Sequence, residues 1–311
     1  MFNGKNRSGY GRQIQKLKKI RSIAVVFVAC LAVAACVLVV SRVKNGSGNE
    51  KRELLRVWNI GNFKQAYEIS KNALSSRPVD YFLLTTHGFS AYQLGISQIN
   101  NHNTLIFIND CIRSLRKALL LKDSTEDGRV CYVLGKAYSY KGTEYADLAV
   151  KYLETAKQTY DAQDIPEYLG LAYAACGDYR SSVEAFSQSF IPGKTPSDSL
   201  LLSIARSYMA MEESNMAIGY LQRCIDTSPD SKSITVARYL LAENLKTSGD
   251  YDGAENQYLC ILDETGENAE VHYQLGELYN MKGDTTRARS EWRIAYRQDP
   301  SHAKARARLN I

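Results

Sequence analysis

Few residues in this 311-residue chain have the type and spacing to do chemistry, and their arrangement argues against most reactions. Gly193-Lys194-Thr195 resembles the end of a phosphate-binding loop, in which glycine-rich backbone cradles the phosphates while the lysine and hydroxyl reach phosphoryl oxygens and magnesium. The upstream glycine such a loop needs is Gln188 here, and Pro192 and Pro196 flank the triplet, so the segment reads as a connection between helical units. The four histidines, His87, His102, His272 and His302, show no H-E-x-x-H or related spacing, and there is no G-x-S-x-G elbow. Cys111, Cys131, Cys176, Cys224 and Cys260 are scattered without a C-x-x-C pair, as buried thiols would be, not metal ligands. Carboxylate pairs such as Glu212-Glu213 lie in turn-like surroundings, where solvated charge is the ordinary explanation. No enzymatic reaction, cofactor or metal is expected.

The segment Ala269–Pro300 holds two helical patterns joined by Gly283-Asp284. Leu275, Gly276 and Tyr279 share one face of the first, and Ala288, Trp292 and Ala295 share one face of the second. A glycine just past a helix end takes the left-handed conformation without steric cost. Small residues at Gly276 and Ala288 let two antiparallel helices approach closely, with Tyr279 and Trp292 filling the space around them. A unit of this size cannot bury its apolar face alone and must stack on copies of itself.

The copies run backwards at a spacing of about 34 residues, the period at which helical hairpins repeat in stacked arrays. Ala242, Leu245, Gly249, Tyr251 and Ala254 repeat the pattern, as do Ala205, Tyr208, Ala217, Leu221 and Pro229. Gly170, Tyr173, Gly177, Tyr179 and Phe186 form another copy, with Ser182 at a position usually alanine, and Gly135, Tyr138, Ala149, Leu153 and Ala156 form the next. Gly88, Ala91, Leu115 and Ala118 match across an insertion near residues 96–106, and Gly61, Phe63, Ala66, Ala73 and Pro78 mark the most N-terminal copy. In these small and aromatic positions the chain resembles the tetratricopeptide repeat family. The resemblance implies an all-α fold, a right-handed superhelix of about seven helix-turn-helix repeats over residues 51–311. Lys304, Arg306 and Arg308 fit a polar C-terminal capping helix. The Asn-rich insertion is expected to be an extended loop or a lengthened hairpin.

In that family the first helices line a concave groove that holds an extended peptide or a partner helix. Carried onto this sequence, the resemblance places Arg129, Tyr132, Lys136 and Tyr140 in the groove, then Glu167 and Leu171, Leu202 and Arg206, Tyr239 and Glu243, and Tyr273 and Glu277. The lining is expected to run from basic-aromatic to acidic-aromatic. The lysine–asparagine pair with which family members clamp the carboxylate tails of cytosolic chaperones is absent.

The formal charge of +6 is set by residues 1–22, which carry seven positive charges and no acid; subtracting seven from six leaves −1 for the rest. A near-neutral solenoid does not supply the basic surface that nucleic acid needs. Residues 23–41 then run uncharged, Ile23 to Ser41, and match the length of a transmembrane helix. Cys30 and Cys36 lie within this run, and Val33-Ala34-Ala35-Cys36 also has the look of a bacterial lipobox, so lipid attachment at Cys36 is the rival to a signal anchor. Val37-Leu38-Val39-Val40 continues the apolar run past the cysteine and favours the anchor. The charge bias places the N-terminus in the cytoplasm and the repeats in the periplasm or outside, joined by a linker over 42–50. The expected function is a membrane-tethered scaffold or adaptor that binds another protein in the bacterial envelope, in secretion- or assembly-linked chaperoning. The alternative is a self-associating structural subunit without a peptide ligand.

Overall fold

A computed structural model describes residues 48–121 and 127–311. The basic tail over 1–22, the apolar run over 23–41 with Cys36, and most of the linker over 42–50 lie outside the described residues. Among the described residues every regular element is helical, and no helix is long and apolar enough to cross a membrane.

The chain divides into two compact units, Met1–Pro78 and Val79–Ile311. The first contains, among its described residues, α1 over 48–59 and α2 (Phe63–Ser76). Gly61 turns between them with φ +73°, and the Asn62 side chain caps α2 by accepting the Gln65 amide at 3.1 Å. Leu54 and Val57 of α1 and Ala66 and Tyr67 of α2 are buried. Arg77 pairs with Glu50 at 2.5 Å.

The second unit is a stack of hairpins: α3 (Tyr81–Ile96) with α4 (Asn101–Leu121), α5 (Gly128–Lys141) with α6 (Ala146–Thr159), and α7 (Ile165–Ala175) with α8 (Tyr179–Ser187). It continues with α9 (Asp198–Ala210) and α10 (Ser214–Thr227), α11 (Ser231–Ser248) and α12 (Tyr251–Thr265), and α13 (Ala269–Met281) and α14 (Thr285–Gln298). The short α15 (Ala303–Leu309) closes it. Each helix packs on the next in sequence, and the first helices of successive hairpins, α3, α5, α7, α9 and α11, also touch one another. That second set of contacts produces one continuous face made of first helices.

Within a hairpin the spacing is set by a glycine or alanine opposite one large side chain. A Cβ built on Gly88, Gly135 or Gly170 would lie 2.5 Å from Leu115, Leu153 or Phe186, and on Gly276 it would run into the Trp292 ring. Ala205 and Ala242 occupy the same place in the remaining hairpins, in contact regions shared with Leu221 and Tyr258. Phe186, Leu153, Leu221 and Tyr258 are fully buried, so this apolar area is the main stabilising term in each unit.

The turns repeat as well. Gly177, Gly249 and Gly283 have φ between +80° and +87°, and Glu212 holds the same turn with φ +61°, whereas Gly142 has φ +110° with an extended ψ and leads into a short 3-10 turn. Asp178, Asp250 and Asp284 then cap the following helices by accepting amides of Ser181, Gly253 and Arg287. The hairpin of α3 and α4 departs from this rule. Its Gly95 lies inside α3 without positive φ, and the helices run on past the usual turn, with a Cβ there 3.1 Å from Ile108. The added residues therefore lie in a lengthened hairpin whose turn covers only residues 97–100, and no long loop forms.

Candidate protein-binding site

A concavity of the second unit lies between two first helices. A cleft of about 470 Å³ is lined by Ser139 and Tyr140 of α5 and by Asp164, Glu167, Tyr168 and Leu171 at and along α7. Tyr140 and Leu171 each leave 43% of their surface open to solvent. Pro166 in the first turn of α7 fixes where that helix begins, which sets Asp164 just ahead of it and Glu167 and Leu171 one turn apart on its open face.

Beside the cleft sits a closed polar cluster. Lys136 Nζ donates to Asp164 Oδ2 and to the Tyr132 hydroxyl, both at 2.9 Å, and the Tyr132 hydroxyl donates to both Asp164 oxygens at 2.8 and 2.9 Å. The ammonium also lies 4.2 Å from the Tyr168 ring centroid, 4.8 Å from that of Tyr132 and 6.0 Å from that of Tyr92. Burial opposes its charge, but the hydrogen bonds to Tyr132 and Asp164 outweigh it and hold the ammonium above the ordinary lysine range. Burial pushes the Tyr92 hydroxyl up. Lys136 is thus consumed internally. Glu167 has no hydrogen bond or ion pair among the described residues.

The C-terminal end is also paired within itself. Glu243 accepts Lys246 Nζ at 2.7 Å and the Tyr258 hydroxyl, and Lys246 reaches Gln274 at 2.8 Å. Glu270 accepts Gln274 at 2.9 Å, the Tyr239 hydroxyl at 3.3 Å and His302 Nε2 at 3.0 Å. Because His302 Nδ1 accepts the Ala305 amide at 3.1 Å as the cap of α15, Nε2 carries the proton given to Glu270. Arg308 makes a two-pronged pair with Glu277 at 2.5 and 2.8 Å. Tyr273 is only 8% exposed and packs, tilted, against His302 with ring centroids 5.1 Å apart.

The expected charge gradient therefore needs correction. Lys136 at one end and Glu243 and Glu277 at the other are engaged by the protein's own groups, and Tyr273 is packing. Tyr132 and Tyr239 are half-buried with their hydroxyls taken. Of the expected lining residues, Arg129, Tyr140, Leu171 and Arg206 are exposed, Arg129 lying 5.9 Å from the Phe89 ring centroid. Asp164, Tyr168 and Tyr92 were not singled out from the sequence. Asp164 and Tyr92 stand at groove positions of their repeats, which the repeat numbering could have flagged; Tyr168 gave no such signal.

Gly193-Lys194-Thr195 lies in the loop between α8 and α9, Gly193 having φ +78°. His272 pairs with Glu291 at 2.7 Å, and no group of three or more His, Cys, Asp or Glu is placed to hold a metal among the described residues. Cys111, Cys131 and Cys224 are buried as expected, with burial pushing the thiols of Cys131 and Cys224 up to about 11, but Cys176, at the end of α7, is exposed and Cys260 is only half-buried.

Comparison with known proteins agrees with this architecture. Residues 199–231, covering α9 and α10, match the tetratricopeptide repeat profile. The C-terminal part of a TPR repeat-containing protein from Cytophaga hutchinsonii superposes with a TM-score of 0.59 at 14% identity, over 82% of this chain and 97% of that one. A tetratricopeptide repeat protein from Parabacteroides merdae does so with a TM-score of 0.51 at 15% identity, over 84% and 96%. PilF from Pseudomonas aeruginosa also scores 0.51 at 15% identity, over 72% and 96%. No curated protein matches in sequence. One repeat, over α9 and α10, is a tetratricopeptide repeat, and the fold is that of tetratricopeptide repeat proteins.

Proposed function

We propose that this protein is a non-enzymatic scaffold or adaptor, tethered to a bacterial membrane by residues 23–41, whose repeats bind another protein. Tetratricopeptide repeat proteins in general bind protein or peptide partners. The observation that carries the reading here is the open cleft between α5 and α7, where Tyr140 and Leu171 remain exposed although most other charged and aromatic groups along the same face are already satisfied. An exposed aromatic and a leucine beside charged groups suit an extended segment or a helix, held by apolar contact and oriented by charge. The charge bias of the N-terminal tail supports a periplasmic or external position for the repeats.

In-cell photo-crosslinking from positions 140 and 171, with adducts identified by mass spectrometry, tests this. A discrete exported or envelope protein is the expected product. A cytoplasmic protein would reverse the topology, and adducts with no protein but this one would replace the adaptor by a self-associating subunit. One feature favours that second reading: the tip of the α3–α4 hairpin leaves Ile96, Ile99 and Ile106 at 40%, 103% and 48% exposure.

A further inference from the structure

The cleft between α5 and α7 retains a negative charge that the protein does not neutralise. Of its two carboxylates, Asp164 is taken by Lys136 and Tyr132, whereas Glu167 has no partner among the described residues. Glu167, like Asp164, also lines a smaller cleft of about 210 Å³, so it stands at the junction of the two. Lys194 lines only the smaller cleft, and no cation lines the larger one. The remaining walls of the larger cleft include Tyr140, Tyr168 and Leu171, two rings and an aliphatic side chain.

This combination fits a methylene stem ending in a cation. Long basic side chains lay their stems on apolar surface while the charged head seeks a carboxylate. Lys136, 4.2 Å from the Tyr168 ring, shows that the aromatic faces here already accommodate a cation. An acidic or phosphorylated segment would bring like charge against Glu167 and be rejected. We infer that the cleft is a selectivity pocket for one arginine or lysine of the partner, carried on an extended segment with an apolar residue beside it. The inference rests on the groove reading above and adds the chemistry of what the groove selects.

The test is to pan the full-length protein in detergent micelles against a phage-displayed library of random heptapeptides. Enriched peptides are expected to share an arginine or lysine at one fixed position next to an aliphatic or aromatic residue. A fluorescein-labelled peptide of the most enriched sequence should bind Glu167→Gln about tenfold more weakly, while Glu267→Gln, an exposed carboxylate of the α12–α13 connection, leaves binding unchanged. Replacing the basic residue of that peptide by norleucine should cost the same factor against the parent protein and nothing further against Glu167→Gln. Circular dichroism of Glu167→Gln should show unchanged helicity. Enrichment without a basic preference, or binding indifferent to Glu167→Gln, overturns the pocket and leaves the groove reading standing. No enrichment at all overturns the groove reading itself.

Discussion

At the scale of single residues, the molecule is governed by charges that have found partners inside it. Lys136 keeps only 12% of its side chain exposed and Asp164 keeps 40%, so removing either leaves the other partly desolvated. Lys136→Ala is expected to destabilise the protein by about 1–3 kcal/mol in urea unfolding, with Tyr132→Phe losing less, because it removes only the hydroxyl's hydrogen bonds to Asp164 and Lys136 and leaves the ion pair. Glu270 gives a pH signature. Burial raises its pKa, but hydrogen bonds from Gln274 and His302 and the charge of Lys304 prevail and hold the carboxyl below the ordinary glutamate range. A carboxyl that ionises more easily in the folded than in the unfolded protein contributes stability above the unfolded value of about 4.3. That contribution disappears as pH falls through the folded value. The melting temperature should hold between neutrality and pH 5 and drop below about 4.5, and Glu270→Gln should shallow the drop. The repeat numbering pointed to Tyr132, Lys136, Tyr239 and Glu243 from sequence, but it could not show that Asp164, 28 residues from Lys136, would claim that ammonium. Such pairings depend on how one repeat is staggered on the next, which no local pattern encodes.

At the scale of the element, small and large residues set the hairpins and the glycine turns punctuate them. The close approach of α13 and α14 was legible in the small residues Gly276 and Ala288, but that the Trp292 ring itself lies against Gly276, as Phe186 lies against Gly170, emerges only from the packing. Gly276→Ala is therefore expected to cost about 1–3 kcal/mol by overpacking against Trp292 and the Ala288 backbone, seen as a lower melting temperature. Glu212 holds with a side chain the left-handed turn that Gly177, Gly249 and Gly283 make without one. Glu212→Gly should stabilise by up to about 1 kcal/mol, the strain relieved exceeding the added freedom of the unfolded chain. The lengthened hairpin was only half legible. The insertion was countable, but its Asn-rich stretch carries strong loop signals, and propensity alone does not show that Asn101–Leu121 forms one helix. Burial of Ile108, Cys111, Ile112 and Leu115 along one side of α4 overrides those signals.

At the scale of the whole molecule, the proposed topology can be read from one thiol. Cys176 is exposed, whereas Cys111, Cys131 and Cys224 are buried. A membrane-impermeant maleimide should label Cys176 in intact spheroplasts if the repeats lie outside, and Cys176→Ser should abolish most of that labelling. Protection until the cells are lysed would place the repeats in the cytoplasm. The all-helical repeat architecture was legible at this scale because seven imperfect copies reinforce one another where a single copy would not.

The overhang of the α3–α4 hairpin has a consequence for how this chain can be altered. α4 has 21 residues where α6, α10 and α14 have 14, and a difference of seven is close to two full helical turns. Extension by whole turns returns the buried stripe to the same side, so Cys111 and Leu115 keep their partners while about 10 Å of helix is added beyond them. One repeat has thereby grown sideways without disturbing the phase of its neighbours. The tip at residues 97–100 is consequently a natural point of insertion, where a reporter peptide or small tag can be spliced into the chain while the stacked hairpins keep their register.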